Sequence, residues 1–410
     1  MYENETRPQR ALLVSLDTGE FDAQASLREL EELSRTAGAD PVLTLTQKRP
    51  APDTATCLGS GMVEQAAELC RQEEIDLLLF DRELTPTQIR NLEKACQVRV
   101  IDRTTLILDI FAQRARSKEG KLQVELAQLR YLLPRLGGQG TALSRLGGGI
   151  GTRGPGETKL ETDRRHIRRR IGSLKEQLKE VEAARGVIDR RRKKDGTVTV
   201  ALVGYTNAGK STLMNQLTQA GVLAEDKLFA TLDPTARALK LPCGKTVMLI
   251  DTVGLIRRLP HHLVEAFKST LEEAAWSDVI IRVADAGDEQ REEQLAVTDE
   301  VLDGLDCADI PRLTVYNKCD KPGAMSFDPD ILFTSAKTGY GLDTLLAKLD
   351  EVLSDRVHTL RVLLPYDKLG LAAPMRERGS VQVEEYREDG LYLEGIVKTE
   401  DLHCFEGYLV

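Results

Sequence analysis

Residues 198–212, Val198-Thr-Val-Ala-Leu-Val-Gly-Tyr-Thr-Asn-Ala-Gly-Lys-Ser-Thr212, carry the pattern that decides the fold. The apolar run predicts a strand, and the glycines after it predict a tight turn. Gly204 and the later Gly209-Lys210-Ser211 match the pattern G-x-x-x-x-G-K-[ST]. In that pattern, backbone N–H groups and the positive end of a helix face the phosphates of a nucleotide. The stretch therefore predicts a phosphate-binding loop between a strand and a helix in an α/β fold.

Four further motifs follow this loop, each beside a predicted strand. They are Phe229-Ala-Thr-Leu-Asp-Pro234 before strand 236–241, Asp251-Thr-Val-Gly254 after 247–250, Asn317-Lys-Cys-Asp320 after 313–316, and Thr334-Ser-Ala-Lys337 after 331–333. Doubly wound sheets bind their ligands at the carboxyl ends of the strands. Five motifs in this order predict a GTPase domain with a parallel sheet.

The residue types in these motifs predict how a nucleotide and Mg²⁺ are bound. We expect Ser211, Thr231 and Asp251 to hold Mg²⁺, and Lys210 to reach the β- and γ-phosphates. The predicted catalytic residues are Lys210, Thr231, Gly254 and Asn207. The Gly254 N–H is expected to face the γ-phosphate. The predicted GTP contacts are Gly204, Tyr205, Thr206, Asn207, Ala208, Gly209, Lys210, Ser211, Thr212, Phe229, Ala230, Thr231, Asp251, Thr252, Val253, Gly254, Asn317, Lys318, Asp320, Ser335, Ala336 and Lys337.

The Asn-Lys-x-Asp motif predicts guanine as the base. Guanine presents two adjacent donors, and the carboxylate of Asp320 can accept both. Adenine presents an acceptor there, so Asp320 would lose its partners, and a polar site penalises such a ligand strongly. Lys318 is expected to cover the base, and the backbone of Ala336 to recognise the guanine oxygen.

The residue after Gly254 is Leu255, where many GTPases have a glutamine that orients the attacking water. A leucine cannot polarise water, so we expect hydrolysis to be slow or assisted. Asn207 occupies the loop position that helps to bind K⁺ in cation-dependent GTPases. Its alternative role is to stabilise the loop, and the sequence leaves both open. A partner that orders residues 226–236 and 252–262 would be the other source of assistance.

A basic helical region precedes the GTPase motifs. Residues 103–133 have helical periodicity and end at Pro134, and a capping box at Thr158 opens a second helix to about Lys194 with an apolar seven-residue repeat. The second helix carries fourteen Lys and Arg against six Asp and Glu. We expect an antiparallel hairpin, or stalk, whose tip is the glycine-rich segment 137–156.

Three interpretations of the tip remain open: a disordered linker, a second phosphate-binding loop, and a probe inserted into RNA. The second is weak because no strand precedes the segment. The excess positive charge beside the glycines favours RNA. The candidate RNA contacts are Arg145, Arg153, Arg164, Arg165, Arg168 and Arg169.

The remaining segments complete a division into four domains. Strands 11–16, 42–46, 75–80 and 98–101 alternate with helices 22–37, 62–73 and 86–96, which predicts a parallel α/β subdomain at 1–102. The stalk covers 103–196 with its tip at 135–156, and the GTPase domain covers 197–356. A small α+β domain at 357–410 contains a hairpin around Asp389-Gly390.

Composition excludes several classes of protein. The net charge of −9 disfavours a general nucleic-acid binder, and seven scattered cysteines favour neither disulfides nor a zinc site. No apolar run is long enough to span a membrane, and the polar first residues lack a signal peptide. We expect a cytoplasmic, monomeric protein.

Beyond the generic motifs, the chain resembles the HflX family of bacterial ribosome-associated GTPases. The resemblance rests on Gln88-Ile-Arg-Asn-Leu-Glu93, Ile101-Asp-Arg-Thr-Thr-Leu-Ile-Leu-Asp-Ile-Phe-Ala112, Lys121-Leu-Gln-Val-Glu-Leu-Ala-Gln128, Gly151-Thr-Arg-Gly-Pro-Gly-Glu-Thr158 and Phe229-Ala-Thr-Leu-Asp-Pro-Thr235. It also accounts for Leu255, because the family replaces the glutamine in the same way.

The resemblance implies that the protein binds the large ribosomal subunit, with the tip near the peptidyl-transferase centre. It implies GTP-dependent splitting or rescue of stalled ribosomes, and stimulation of hydrolysis by that subunit. Two alternatives remain: an RNA-modifying or RNA-remodelling GTPase, and a signalling switch that binds proteins. Residues 1–196 contain no additional catalytic cluster that would favour the first.

Overall fold

The computed structural model describes residues 7–136, 159–194, 197–219, 228–258, 274–305, 307–321, 328–354, 357–377 and 380–410. These residues divide into two compact units. Unit 1 holds 7–136 and 159–178 together with 228–229 and 257–258, and unit 2 holds the other described residues. The predicted division at 102, 196 and 356 is a finer one and stays a prediction.

Unit 1 is built on a parallel sheet of four strands in the order β2-β1-β3-β4. The strands are β1 Gln9–Asp17, β2 Ala39–Lys48, β3 Leu77–Phe80 and β4 Arg99–Asp102. Helices α1 Ala23–Ala37, α2 Ser60–Gln72 and α3 Pro86–Cys96 connect them. Strand residues such as Leu12, Leu78 and Phe80 are almost fully buried, as expected for a parallel sheet. The predicted α/β fold is confirmed here.

The helical region after β4 differs from the prediction, because a break divides it into two helices. Helix α4 spans Arg103–Arg114 and helix α5 spans Lys118–Arg135. Ser117 begins α5 by accepting a hydrogen bond from the Gly120 N–H at 2.8 Å. Pro134 does not end the helix but lies in its last turn. The prediction of one helix ending at Pro134 was wrong, because helical periodicity continued across the cap.

Helix α6, Lys159–Lys194, is the second stalk helix. Leu174 and Leu178 are buried, and Arg170 forms a two-fold hydrogen-bonded ion pair with Glu125 of α5, at 2.6 and 2.7 Å. Along the chain, Glu125 is about as far from the end of α5 as Arg170 is from the start of α6, as expected for an antiparallel hairpin. The tip 137–156, with Arg145 and Arg153, and the capping residue Thr158 lie outside the described residues.

Unit 2 contains a six-stranded sheet in the order β10-β9-β8-β5-β7-β6. The strands are β5 Thr199–Gly204, β6 Thr235–Lys240, β7 Thr246–Asp251, β8 Val279–Asp285, β9 Arg312–Asn317 and β10 Ile331–Phe333. Only β6 runs antiparallel to its neighbour. Helices α7 Lys210–Leu217, α8 Arg291–Asp303 and α9 Leu342–Ser354 belong to the same unit. The central position of β5 places the phosphate-loop sequence in the middle of the carboxyl edge.

The C-terminal residues form a three-stranded antiparallel sheet in the order β11-β13-β12. The strands are β11 Val357–Leu364, β12 Ser380–Arg387 and β13 Gly390–Lys398. Two 3-10 helices, Tyr366–Ala372 and Thr399–Cys404, and the short helix α10, Ala373–Glu377, complete it. The hairpin turn lies one residue earlier than predicted, because Gly390 already pairs with Arg387.

Candidate functional site

The phosphate-binding loop joins β5 to α7, and its lysine is enclosed by the loop itself. Lys210 is 6% exposed, and its Nζ donates to the carbonyl oxygens of Gly204 and Tyr205, both at 2.9 Å. Burial lowers the pKa of Lys210 to about 8, whereas the negative charge of Asp251 acts in the opposite direction. The loop thus holds a buried ammonium group, which suits the binding of an anion.

Ser211, Thr231 and Asp251 meet at the carboxyl ends of β5 and β7. The Ser211 and Thr231 hydroxyls donate to Asp251 Oδ2 at 2.7 and 2.8 Å, and the two hydroxyl oxygens are 2.8 Å apart. The three residues predicted to hold Mg²⁺ therefore come from three separate segments and form one contiguous group.

The same group has the properties of a magnesium site. Asp251 is 1% exposed, and among the described residues its Oδ1 has no hydrogen-bond partner. Burial raises the pKa of its carboxyl, while Lys210 and the two hydroxyls oppose that shift. A buried carboxylate oxygen without a donor beside two hydroxyl oxygens suits a hard divalent cation, because Mg²⁺ prefers oxygen ligands. Ser211, Thr231 and Asp251 therefore fit Mg²⁺.

The segment after β7 is fixed on the phosphate-binding loop through its backbone. The Thr206 N–H donates to Leu255 O at 2.7 Å, and the Leu255 N–H donates to Gly204 O at 3.1 Å. A Cβ on Gly254 would lie 2.6 Å from Thr206 Cγ2, so this approach requires glycine. Leu255 itself is 2% exposed. Its side chain serves packing, which agrees with the expectation that it cannot orient water.

Asn317 connects the phosphate-binding loop to the loop after β10. Its Nδ2 donates to Ala208 O at 3.0 Å, and its Oδ1 accepts from the Ala336 N–H at 3.0 Å. The side chain is 1% exposed, so these bonds lie away from solvent. Asn317 therefore links the two loops through hydrogen bonds. In this arrangement the Ala336 N–H, which we expected to recognise guanine, is already donated to Asn317.

Asp320 is held as a charged acceptor at the surface of the site. The Ser335 hydroxyl donates to Asp320 Oδ1 at 2.6 Å, and this bond lowers the pKa of the Asp320 carboxyl. Among the described residues, Ser335 is the side-chain donor to Asp320, which leaves the carboxylate with unused lone pairs. The arrangement therefore suits the two-donor edge of guanine.

Asn207 and Lys318 contact each other rather than acting separately. Lys318 Nζ donates to Asn207 Oδ1 at 3.1 Å, and both residues have a positive φ, +60° for Asn207 and +61° for Lys318. The contact ties the phosphate-binding loop to the loop after β9. Of the two roles considered for Asn207, it supports loop stabilisation directly.

Other predicted site residues lie outside this polar group. The ring of Phe229 is buried in unit 1 in an edge-to-face contact with Phe111, with ring centroids 4.6 Å apart. The Thr252 hydroxyl donates to Leu202 O at 2.7 Å, so this side chain stabilises the sheet. Val253 and Tyr205 are buried, whereas Thr212, Ala230 and Lys337 are exposed. In α6, Arg164 is half-buried, and Arg165, Arg168 and Arg169 are exposed.

Asp285, the last residue of β8, lies at this edge outside the motifs recognised in the sequence. Its carboxylate contacts Lys318 Nζ at 3.2 Å and Lys321 Nζ at 2.7 Å. A signal was present, because Asp285 follows an apolar strand just as Asp251 does. Without a recognised tetrapeptide around it, the residue was not singled out.

Three family models match consecutive parts of the chain. Residues 24–112 match "GTP-binding GTPase N-terminal", residues 114–192 match "GTP-binding GTPase Middle Region", and residues 199–318 match "50S ribosome-binding GTPase". The third match covers the loop, the Ser211–Thr231–Asp251 group and the start of the base-recognition motif.

Curated relatives match over almost the whole chain. A "GTPase HflX" from Caldanaerobacter subterraneus subsp. tengcongensis is 50% identical over 406 residues, which cover 98% of this chain and 94% of the relative. A "GTPase HflX" from Escherichia coli K12 is 44% identical over 402 residues, with 95% and 93% covered.

A solved structure described as the complex of SsGBP and GDP covers 84% of this chain and 98% of its own, with 26% identity and a TM-score of 0.50. Within the described part of the chain, no helix has the length and apolar character needed to cross a membrane.

Proposed function

Because the chain belongs to the HflX family of GTPases, we propose that its GTP-bound form binds the large ribosomal subunit and so splits or rescues stalled ribosomes. The observation that carries this proposal is the group formed by Ser211, Thr231 and Asp251. It joins the phosphate-binding loop to the two segments that follow it, and such segments transmit the state of the nucleotide.

Particular residues of the site would perform each part of nucleotide binding and hydrolysis. Lys210 binds the β- and γ-phosphates and is charged when they are present. Ser211, Thr231 and Asp251 hold Mg²⁺, which when bound offsets the negative charge of the phosphates. The Gly254 N–H faces the γ-phosphate, and Asp320 accepts the two donors of guanine. Buried Leu255 supplies no group that orients water, so we expect slow hydrolysis that the ribosome accelerates.

Thr231 is the residue through which the γ-phosphate would act. Its hydroxyl contacts both Ser211 and Asp251, so its position depends on the occupancy of the metal and phosphate sites. A loop held in this way changes its position when the γ-phosphate is lost. The GTP-bound and GDP-bound forms of the protein would therefore present different surfaces to a ribosomal subunit.

The stalk supports contact with RNA. Arg168 and Arg169 are exposed on α6, and the helix carries a marked excess of positive charge. Phosphate contacts of this kind supply most of the affinity for nucleic acid and weaken with salt. Residues 137–156 would extend towards the peptidyl-transferase centre, which is an expectation from the family.

Co-sedimentation with purified large subunits tests the proposal. Protein loaded with GTPγS should bind at least about tenfold more tightly than protein loaded with GDP, because the Thr231 segment couples the two events. Adding GTPγS-loaded protein to intact ribosomes should increase free subunits in a sucrose gradient. Failure of the GTPγS form to sediment with large subunits would exclude the proposal. Binding without subunit release would exclude splitting alone.

A charge-reversal pair tests the stalk. The double variant Arg168→Glu/Arg169→Glu should weaken subunit binding about tenfold and reduce its salt dependence. The matched control is Arg35→Glu/Arg71→Glu, which makes the same charge change at exposed positions of α1 and α2. Equal losses in the two double variants would mean that net charge, and not the stalk, governs binding.

The proposed role of K⁺ is tested separately. If Asn207 binds the cation, hydrolysis should slow when Na⁺ replaces K⁺. Equal rates would leave Asn207 with the loop-stabilising contact to Lys318 Nζ, 3.1 Å from its Oδ1.

A further inference from the structure

Asp285 lies at the carboxyl edge of the unit 2 sheet, next to the base-recognition motif. It ends β8 and stands opposite Asn317 in the register of β8 and β9. Its Oδ1 accepts the Gly287 N–H at 2.9 Å, which fixes the side chain in the turn. Its Oδ2 then faces the loop after β9. The turn bond and the register together determine where the carboxylate points.

Lys318 is the group that this carboxylate holds. Lys318 Nζ lies 3.2 Å from Asp285 Oδ2 and 3.1 Å from Asn207 Oδ1. Its Cε lies 3.6 Å from the position of a Cβ built on Gly209, so the aliphatic part of the side chain passes beside the phosphate-binding loop. An amide and a carboxylate thus fix the ammonium group from two sides, which restricts the rotamers of a long side chain.

The chain Asp285–Lys318–Asn207 is the second connection between the base-recognition motif and the phosphate-binding loop. The first is Asn317, which is 1% exposed, whereas the Lys318 side chain is 23% exposed. A partly exposed ion pair is weaker than the buried hydrogen bonds of Asn317, because water competes for the charged groups. The Lys318 connection is therefore suited to setting the strength of nucleotide binding without being essential for the fold.

We propose that Asp285 is a positioning residue for guanine-nucleotide binding, which holds Lys318 over the base and against the phosphate-binding loop. Among the described residues, its side chain contacts the Gly287 N–H, Lys318 and Lys321, none of which is a predicted metal ligand. The positioning therefore acts on the part of the site that GTP and GDP share. The proposal concerns nucleotide affinity alone and is independent of the ribosome.

The variant Asp285→Asn tests the proposal, because asparagine keeps the acceptor for the Gly287 N–H and removes the charge. We expect the dissociation constants for GDP and GTPγS to rise by the same factor, about three- to tenfold. Stopped-flow release of a fluorescent GDP should be faster by that factor. Hydrolysis at saturating GTP should stay within about twofold. A larger loss for GTPγS than for GDP, or a lower kcat, would overturn the proposal.

Lys321→Gln is the matched control. It removes the second lysine that contacts Asp285 and leaves Lys318 in place. The Lys321 side chain is 48% exposed, and its Nζ lies 2.7 Å from Asp285 Oδ2. Affinity should remain within about twofold of the parent. A loss as large as that of Asp285→Asn would show that the pair of lysines merely stabilises the turn, which also overturns the proposal.

A double-mutant cycle establishes whether Asp285 acts through Lys318. In the Lys318→Met background, Asp285→Asn should weaken nucleotide binding by less than about twofold. Full additivity would contradict the positioning role. Asp285→Glu should restore part of the affinity, since it returns the carboxylate. If Asp285→Asn does not fold, Asp285→Ser replaces it, because serine also accepts the Gly287 N–H.

Discussion

The carboxyl edges of the unit 1 and unit 2 sheets contain equally buried aspartates with different partners. In unit 1, Asp81 follows β3 and is 2% exposed; its Oδ1 pairs with Arg103 and its Oδ2 with Arg258, both at 2.8 Å. In unit 2, Asp251 is 1% exposed, and among the described residues only hydroxyls donate to it, at Oδ2.

Two neighbouring charged residues at the unit 1 edge are also paired. Arg103 also contacts Glu29, and Asp102 accepts from the Leu84 N–H at 3.1 Å and from the Tyr131 hydroxyl. A parallel sheet with helices on it therefore does not by itself make a binding site. In unit 2, by contrast, Lys210 donates to neutral carbonyl oxygens, and Asp251 Oδ1 has no hydrogen-bond partner among the described residues, which leaves both groups able to bind a ligand.

Removing Asp81 should have the largest effect on stability. Asp81→Ala leaves the buried Arg103 without that carboxylate and should lower the free energy of unfolding by about 3–5 kcal/mol. Urea denaturation followed by circular dichroism measures it. The control is Glu68→Ala, which breaks an exposed ion pair with Arg71 and should cost less than about 1 kcal/mol. Similar costs for the two variants would refute the contrast between paired and unpaired edges.

Removing Lys210 should weaken nucleotide binding and leave stability nearly unchanged. Lys210→Ala should weaken GDP and GTPγS binding by about 100-fold or more, because the phosphates lose a buried cation. The free energy of unfolding should change by less than about 1 kcal/mol, since a buried charge is removed. Calorimetric titration and denaturation measure the two quantities, with exposed Lys240→Ala as the control. A large loss of stability with intact binding would reverse the assignment.

Changing Asp320 should alter which base the protein prefers. Asp320→Asn replaces an acceptor by a donor, so the ratio of GTP affinity to xanthosine triphosphate affinity should fall by about 100-fold. Competition binding measures the ratio. Asp330→Asn, at an exposed position, serves as control. An unchanged ratio would remove Asp320 from base recognition.

The pH dependence of binding should be the smallest effect. Lys210 has a pKa of about 8 in the unliganded protein, and phosphates favour its charged form. Binding therefore takes up a proton above about pH 8, and affinity should fall there with increasing pH, by at most about tenfold per pH unit. Titrations between about pH 7 and pH 9 measure the slope. Lys210→Arg should remove it; a slope retained in that variant would assign the proton to another group.

Strand positions and motifs were predictable from the sequence because both are local. The apolar runs placed the strands of the unit 1 and unit 2 sheets except β8, which was not singled out, and the motif spacing placed Ser211, Thr231 and Asp251 at one edge. The break at Ser117 was not predictable, because the residues around it keep the helical period. The aromatic contact of Phe229 was missed for another reason: its partner Phe111 is remote in sequence.

By itself, the sequence determined a nucleotide-binding α/β protein with guanine as its base, because the loop and the recognition motifs are short and contiguous. The tertiary structure decided which polar groups are satisfied. Asp81 and Asp251 both follow apolar strands, yet only the fold brings arginines to the first and hydroxyls to the second. Asp285 gained its role in the same way, from lysines after the neighbouring strand. Pairing of buried charge depends on residues distant in sequence, and the local pattern does not contain them.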